Sequence, residues 1–206
     1  MNGRARISEL EKAAMNWSDA WLSHPARRPE LLGNFIAFLA GLKKPVVIEM
    51  GARRSDPRVS TLHRDWAPVD AKFIGTDFMS GLDVDVIADV HRFSKAFSPN
   101  SIDAIICVSV LEHVERPWIA AKEIAKIMRP GGQIFCYTHF AFPEHGYPSD
   151  YFRFTRAGLE MIFRDAELEI VGSDYENPCA IVAWAEPDMA RSAFTGIRLV
   201  ARKPSE

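Results

Sequence analysis

The sequence predicts an α/β fold: a mostly parallel sheet covered by helices on both faces, closed by a C-terminal antiparallel hairpin. Three observations predict it. The strand-like runs are apolar throughout rather than alternating, as strands buried on both faces require. The runs at Val46–Glu49, Lys72–Thr76, Val84–Ala88 and Ile102–Val110 each lead into an acid or a short polar stretch. Helical patterns lie between and around them, which is the signature of crossover connections in a parallel sheet.

The elements follow in order. Residues 1–44 read as a helical extension of the same domain. Ser8 and Glu11 form a capping box, and Leu10, Ala14, Trp17 and Trp21 continue at helical spacing. Beyond the His24–Pro29 breaker, Leu31, Leu32, Phe35, Phe38, Leu39 and Leu42 mark a second amphipathic helix. The main domain spans 45–206. Pro117 suits the first turn of a helix, where its missing N–H has no partner to lose. Ala120, Ile124, Ile127 and Met128 supply that helix's buried stripe, and Pro130-Gly131-Gly132 stops it before a fifth strand at Gln133–Thr138. Thr155 caps a helix through about Arg164. Short strands are expected at Glu169–Ser173, Ile181–Ala185 and Ile197–Ala201.

Composition excludes several classes. A chain of 206 residues that is 48% hydrophobic and 25% charged buries one sizeable core and is not a disordered tail. A net charge of -2 argues against a nucleic-acid binder held by phosphate neutralisation. The longest apolar runs fall short of a membrane span, and the N-terminus lacks a signal-peptide core. The expectation is a cytoplasmic protein without nucleic-acid or membrane partners. Cys107, Cys136 and Cys179 are odd in number and show no zinc spacing. No histidine pair has the i, i+4 spacing of a helical metal site, so no metal ligands are expected.

Ligands of open α/β sheets bind outside the carboxyl ends of the strands. The polar residues there are Glu49, Gly51, Asp77, Asp89, Ser109, Glu112 and His113. Asp77 follows Gly51 by 26 residues and can accept hydrogen bonds from both hydroxyls of a ribose. That suits any adenosine-containing cofactor. A dinucleotide would also need G-x-G-x-x-G for its pyrophosphate, and the turn here reads Gly51-Ala52-Arg53-Arg54-Ser55-Asp56. S-adenosylmethionine has no phosphate, so one close-approach glycine suffices.

The pieces VVIEMGA (46–52), FIGTDF (73–78), VIADVHRF (86–93), SIDAIICVSVLEHVERPW (101–118) and MRPGGQIF (128–135) stand in a specific order and spacing. In them the chain resembles the class I S-adenosylmethionine-dependent methyltransferases, in the small bacterial UbiE/type-11-like group. The resemblance implies a Rossmann-like three-layer sandwich with a seven-stranded sheet, and S-adenosylmethionine as cofactor. It implies that Glu49 and Gly51 lie by the methionine moiety and that Asp77 holds the ribose. Phe78, Asp89 and Val90 would then border the nucleoside, and Ser109 would line the cofactor near the methyl group. The family's further glycines are replaced by Arg53 and Ser55. Both Arg53 and Arg54 are expected to point away from the cationic sulfonium, or to reach the cofactor only at its carboxylate.

The stretch HFAFPEHGYPSDYFRFT (139–155) resembles a subgroup found with sugar and cell-surface biosynthesis genes. This implies a small-molecule acceptor, such as a sugar or cell-surface precursor. Tyr147, Tyr151 and Arg153 are candidate acceptor-binding residues. His145, His139 and His113 are candidate catalytic bases, with His145 favoured, because a hydroxyl acceptor must lose its proton. Trp17 and Trp21 are expected near the same pocket. The alternative is a non-catalytic S-adenosylmethionine-binding or partner-binding protein of the same fold.

Overall fold

The computed structural model describes residues 27–146, 149–183 and 186–205; side chains between 182 and 192 are outside that description. The first expected helix, with Trp17 and Trp21, and the candidate Tyr147 also lie outside the described residues. The described chain forms a seven-stranded sheet. Its strands are β1 (Val46–Met50), β2 (Lys72–Asp77), β3 (Val86–Ile87), β4 (Ile102–Val108), β5 (Met128–His139), β6 (Glu169–Ala183) and β7 (Glu186–Arg202). Their order is β3-β2-β1-β4-β5-β7-β6. The first five pair in parallel, and β7 pairs antiparallel with both β5 and β6. The strand order reverses direction at the β1/β4 boundary.

Both faces are covered, as the apolar runs require. Helix α1 (Leu31–Ala40) buries Leu31, Phe35 and Leu39 against Val47, Phe73, Ala104, Ile106 and Phe135. This expected part of an extension is therefore one of the sheet's covering helices. Helix α2 (Pro117–Ile127) begins with its proline in the first turn and buries Ala120, Ile124 and Ile127 on the opposite face. Helix α3 (Arg156–Arg164) is capped by Thr155, whose hydroxyl accepts from the Gly158 N–H at 3.1 Å. Its Leu159, Ile162 and Phe163 join the same core. Cys107 and Cys136 are fully buried free thiols, and the hydrogen bond with Cys107, with burial adding to it, pushes the Cys136 thiol well up. Among the described residues, no helix is long and apolar enough to cross a membrane.

Several boundaries differ from the sequence expectation, and β5 begins at Met128, where a helix residue was expected. The strand expected at Glu169–Ser173 and the described part, 181–183, of the one expected at Ile181–Ala185 belong to one long β6, and Ile197–Ala201 is only the end of a long β7. Asn177-Pro178 looks like a break, and Asn177 does turn to φ +53°. But β6 is an edge strand of the sheet, one of the few places where a strand tolerates proline. The expected run Val84–Ala88 is reduced to the two residues of β3, also at an edge.

Candidate active site

The site is built where β1, β2, β3 and β4 end. After β1 the chain turns through Gly51 at φ +68°, a backbone region that favours glycine. A Cβ there would stand 2.6 Å from Val110 Cγ2. β2 ends in Asp77, half-buried, whose carboxylate accepts from the Met79 N–H at 2.9 Å. Asp89 follows β3 and caps a 3₁₀ turn, Val90–Lys95, accepting from the His91 N–H at 2.9 Å. His91 Nε2 accepts from the Arg116 N–H at 3.3 Å, so its proton sits on Nδ1, 2.8 Å from Asp89. Burial works against the Asp89 carboxylate, but these bonds from His91 outweigh it and hold the group below the usual range. Ser109 follows the last residue of β4, takes φ +53° and donates its N–H to the Tyr137 carbonyl at 2.9 Å.

These strand ends surround a cavity of about 750 Å³, large enough for a cofactor and a small acceptor. Gly51, Asp77, Phe78, Asp89, Val90 and Ser109 all line it. Glu49 does not. Alternation along β1 puts Met50 on the cavity side and Glu49 on the α1 side, where its carboxylate accepts from the His63 N–H at 2.8 Å and faces His63 Nδ1 at 2.7 Å. Its expected place beside the methionine moiety is corrected to a structural clasp on the segment after β1.

The loop that lacks the extra glycines is held by charge. Arg54 Nε donates to Asp83 at 2.6 Å, and Ser60 donates to the same carboxylate at 2.6 Å. Arg54 is thereby turned to Asp83, while Arg53 lines the cavity. Gly81 packs so closely on Arg53 that a Cβ would stand 2.5 Å from its Cγ.

The opposite wall is made of histidines. A 3₁₀ turn, Leu111–His113, follows β4 and carries Glu112, which is completely buried. Its carbonyl accepts from the Tyr151 N–H at 2.7 Å and the Phe152 N–H at 3.3 Å, fastening the loop after β5 over the site. Its carboxylate lies near three imidazoles: Nε2 of His139, His113 and His145 stand 3.2, 3.9 and 4.0 Å from Oε1. Burial opposes the charge of Glu112, yet His139, the backbone and the Thr138 hydroxyl together keep its carboxyl below the usual range. His113, His145 and Tyr151 line the cavity. His139 does not; it is buried at the end of β5 and stacks on Phe142 at 4.1 Å.

Arg153 is also corrected. A guanidinium has five N–H donors. Here all five are engaged: two reach Asp150 and the others reach the carbonyls of Phe142, Pro143 and Phe152. It staples the loop and has nothing left for an acceptor. The same guanidinium holds the Asp150 carboxyl far below the ordinary carboxylate range.

The sequence reading passed over one contributor and the partners of another. His91 sits two residues after Asp89, the spacing of a side chain that closes a ring onto a capping acid. Glu112 was visible as the acid next to His113, but its convergence with His145 joins a turn after β4 to a loop after β5, which helical spacing cannot reveal.

A doubly wound sheet with a cavity at the carboxyl ends of its strands, across the β1/β4 reversal, defines a Rossmann-like cofactor-binding fold. The comparisons narrow it. Residues 68–136 match the family described as "Methyltransferase domain". The chain is 27% identical over 143 residues to the ubiquinone biosynthesis O-methyltransferase of Klebsiella pneumoniae subsp. pneumoniae, covering 64% of this chain and 59% of that protein. It thus spans less than two thirds of the length of that curated relative. Among solved structures, it is similar to the 1,6-didemethyltoxoflavin-N1-methyltransferase of Burkholderia thailandensis, crystallised with 1,6-didemethyltoxoflavin and S-adenosylhomocysteine, with a TM-score of 0.59, 16% identity and coverage of 98% and 89% of the two chains. A SAM-dependent methyltransferase from Archaeoglobus fulgidus superposes with a TM-score of 0.60 at 14% identity over 84% of this chain and 91% of that one. Residues 68–136 are thus similar to the methyltransferase-domain family, and the fold is the one shared by S-adenosylmethionine-dependent methyltransferases of known structure.

Proposed function

We infer that this chain is a methyltransferase that binds S-adenosylmethionine in the 750 Å³ cavity and passes its methyl group to a small molecule held at the histidine wall. The observation that carries this is the single cavity wall that joins Gly51, Asp77, Asp89 and Ser109 to His113, His145 and Tyr151. The methionine end lies on the Gly51 turn, the ribose on Asp77 and the adenine beside Asp89 and Val90. Displacement at the methyl carbon needs alignment more than chemistry from the protein, because the sulfonium already supplies the leaving group.

The acceptor in this reading carries a hydroxyl. Imidazoles at the acceptor wall suit removal of a hydroxyl proton, and the curated relative is named an O-methyltransferase. A sugar or cell-surface precursor fits the resemblance of the 139–155 stretch. Tyr151, half exposed at the rim, offers a ring for such an acceptor to lie on.

Calorimetric titration with S-adenosylhomocysteine tests the cofactor half of the reading. One site per chain is expected. Asp77→Ala should weaken it by about ten- to a hundredfold, the loss of roughly 1.5–3 kcal/mol for hydrogen bonds to a charged acceptor. Unchanged affinity in a folded Asp77→Ala chain removes the ribose from Asp77.

A further inference from the structure

A buried carboxylate needs a partner for each oxygen. Glu112 Oε2 has one, the Thr138 hydroxyl at 2.9 Å. Oε1 is buried with no hydrogen bond, because His139 Nε2, although 3.2 Å away, is out of line for one. The remaining neighbours of Oε1 are His113 and His145, and the second ring nitrogen of each decides what it presents. His113 Nδ1 lies 2.8 Å from the Ser149 carbonyl, which can only accept. The proton is therefore on Nδ1, and Nε2 of the neutral ring is a lone pair. His145 Nδ1 faces the Pro143 carbonyl at 3.2 Å and the Asp150 carboxylate at 3.1 Å, again acceptors, so its Nε2 is also a lone pair. Two imidazole lone pairs and a bare carboxylate oxygen converge, all within 4.8 Å of one another. Three Lewis bases so placed, on residues that line or underlie one cavity, call for a cation among them.

We propose that Glu112, His113 and His145 bind a divalent cation of the zinc class at the acceptor end of the cavity. Zinc bonds of about 2.1 Å set neighbouring tetrahedral ligands roughly 3.4 Å apart. The observed 3.9 and 4.0 Å from Oε1 to the two Nε2 atoms need only a slight contraction. Imidazole donors select zinc and similar transition metals over magnesium, which prefers oxygen. The Nδ1 partners, Ser149, Pro143 and Asp150, are the outer contacts that fix ligand tautomers in metal sites. Three protein ligands leave a fourth position open, and His113 and His145 both border the cavity.

The site's use rests on the methyltransferase reading, although its existence does not. With the cation bound, His113 and His145 serve as its ligands in place of acting as bases: an acceptor hydroxyl in the fourth position would have its pKa lowered by the cation and release its proton to solvent. The resulting oxygen attacks the methyl carbon, the carbon–sulfur bond breaks, and its electron pair returns to sulfur to leave a neutral thioether. The acceptor class is thus an alcohol or phenol able to coordinate a cation.

The test is calorimetry of the tag-free full chain, stripped with EDTA and dialysed, against zinc chloride and magnesium chloride in turn. One zinc site per chain and no magnesium site are expected. His145→Ala and Glu112→Gln should each weaken zinc by at least about a hundredfold, since even outer-contact losses cost 10–100-fold. Cobalt(II) should give visible absorption that His145→Ala abolishes. If Glu112→Gln fails to fold, His145→Ala, on the more exposed loop, decides alone. No zinc binding, or equal zinc affinity in a folded His145→Ala chain, overturns the proposal. Titration of the same preparation with S-adenosylhomocysteine separates the two readings: that ligand binding without zinc removes the cation site alone, and zinc binding without that ligand removes the methyltransferase reading alone.

Discussion

Gly51→Val is expected to abolish measurable binding of S-adenosylhomocysteine. Two costs add at this position. The backbone is at φ +68°, where a residue with a Cβ loses about 1–2 kcal/mol and a β-branched residue loses more. The new Cβ would also stand 2.6 Å from Val110 Cγ2, so either the turn or Val110 must shift. Gly51 and Val110 both line the cavity, and the shift deforms the wall on which the methionine end rests. A loss of more than about a hundredfold, or roughly 2.7 kcal/mol, follows. Calorimetry measures it, with circular dichroism and a thermal melt confirming that the chain still folds. Gly51→Ala carries the backbone cost with a smaller side chain and should fall between. A folded Gly51→Val chain that binds within threefold of the parent would show that the cofactor does not approach this turn.

His145→Ala is expected to lower turnover by roughly 10²–10⁴-fold, the range for losing the group that handles a substrate proton. Affinity for S-adenosylhomocysteine should stay within a few-fold, because Gly51, Asp77 and Asp89 belong to other strand ends. The split arises from position: His145 comes from the loop after β5 and sits in the acceptor wall with His113, their ring centroids 4.9 Å apart. His139→Ala should affect turnover less directly, since His139 is buried behind the wall. Single-turnover rates with a hydroxyl acceptor, set beside cofactor titrations, measure both quantities. A large loss of cofactor affinity with unchanged turnover at saturation would place His145 on the cofactor rather than the acceptor.

Much of this was legible because parallel strands announce themselves. Apolar runs ending near Gly51, Asp77, Asp89 and Ser109 mark one edge of a sheet, and folding brings those ends together whatever the helices between them do. The errors share a different origin. Glu49 was placed by the resemblance and by its position at the end of the first strand, while strand alternation, which sends Glu49 and Met50 to opposite faces, decides its side. Arg153 stood as an acceptor-binding candidate because, beyond Asp150, the acceptors that exhaust it are the loop carbonyls of Phe142, Pro143 and Phe152, which have no sequence signal. The Glu112 cluster needed two segments, 112–113 and 139–145, whose proximity depends on the pairing of β4 with β5.

The most direct test of the cavity as a methyltransferase site is a crystal structure of the chain with S-adenosylhomocysteine. The ribose hydroxyls are expected on the Asp77 carboxylate, the adenine beside Asp89 and Val90, and the amino-acid end against the Gly51 turn, with the sulfur facing His113 and His145. Ligand bound elsewhere on the molecule, or in the cavity with its adenine against the histidines, would contradict that assignment.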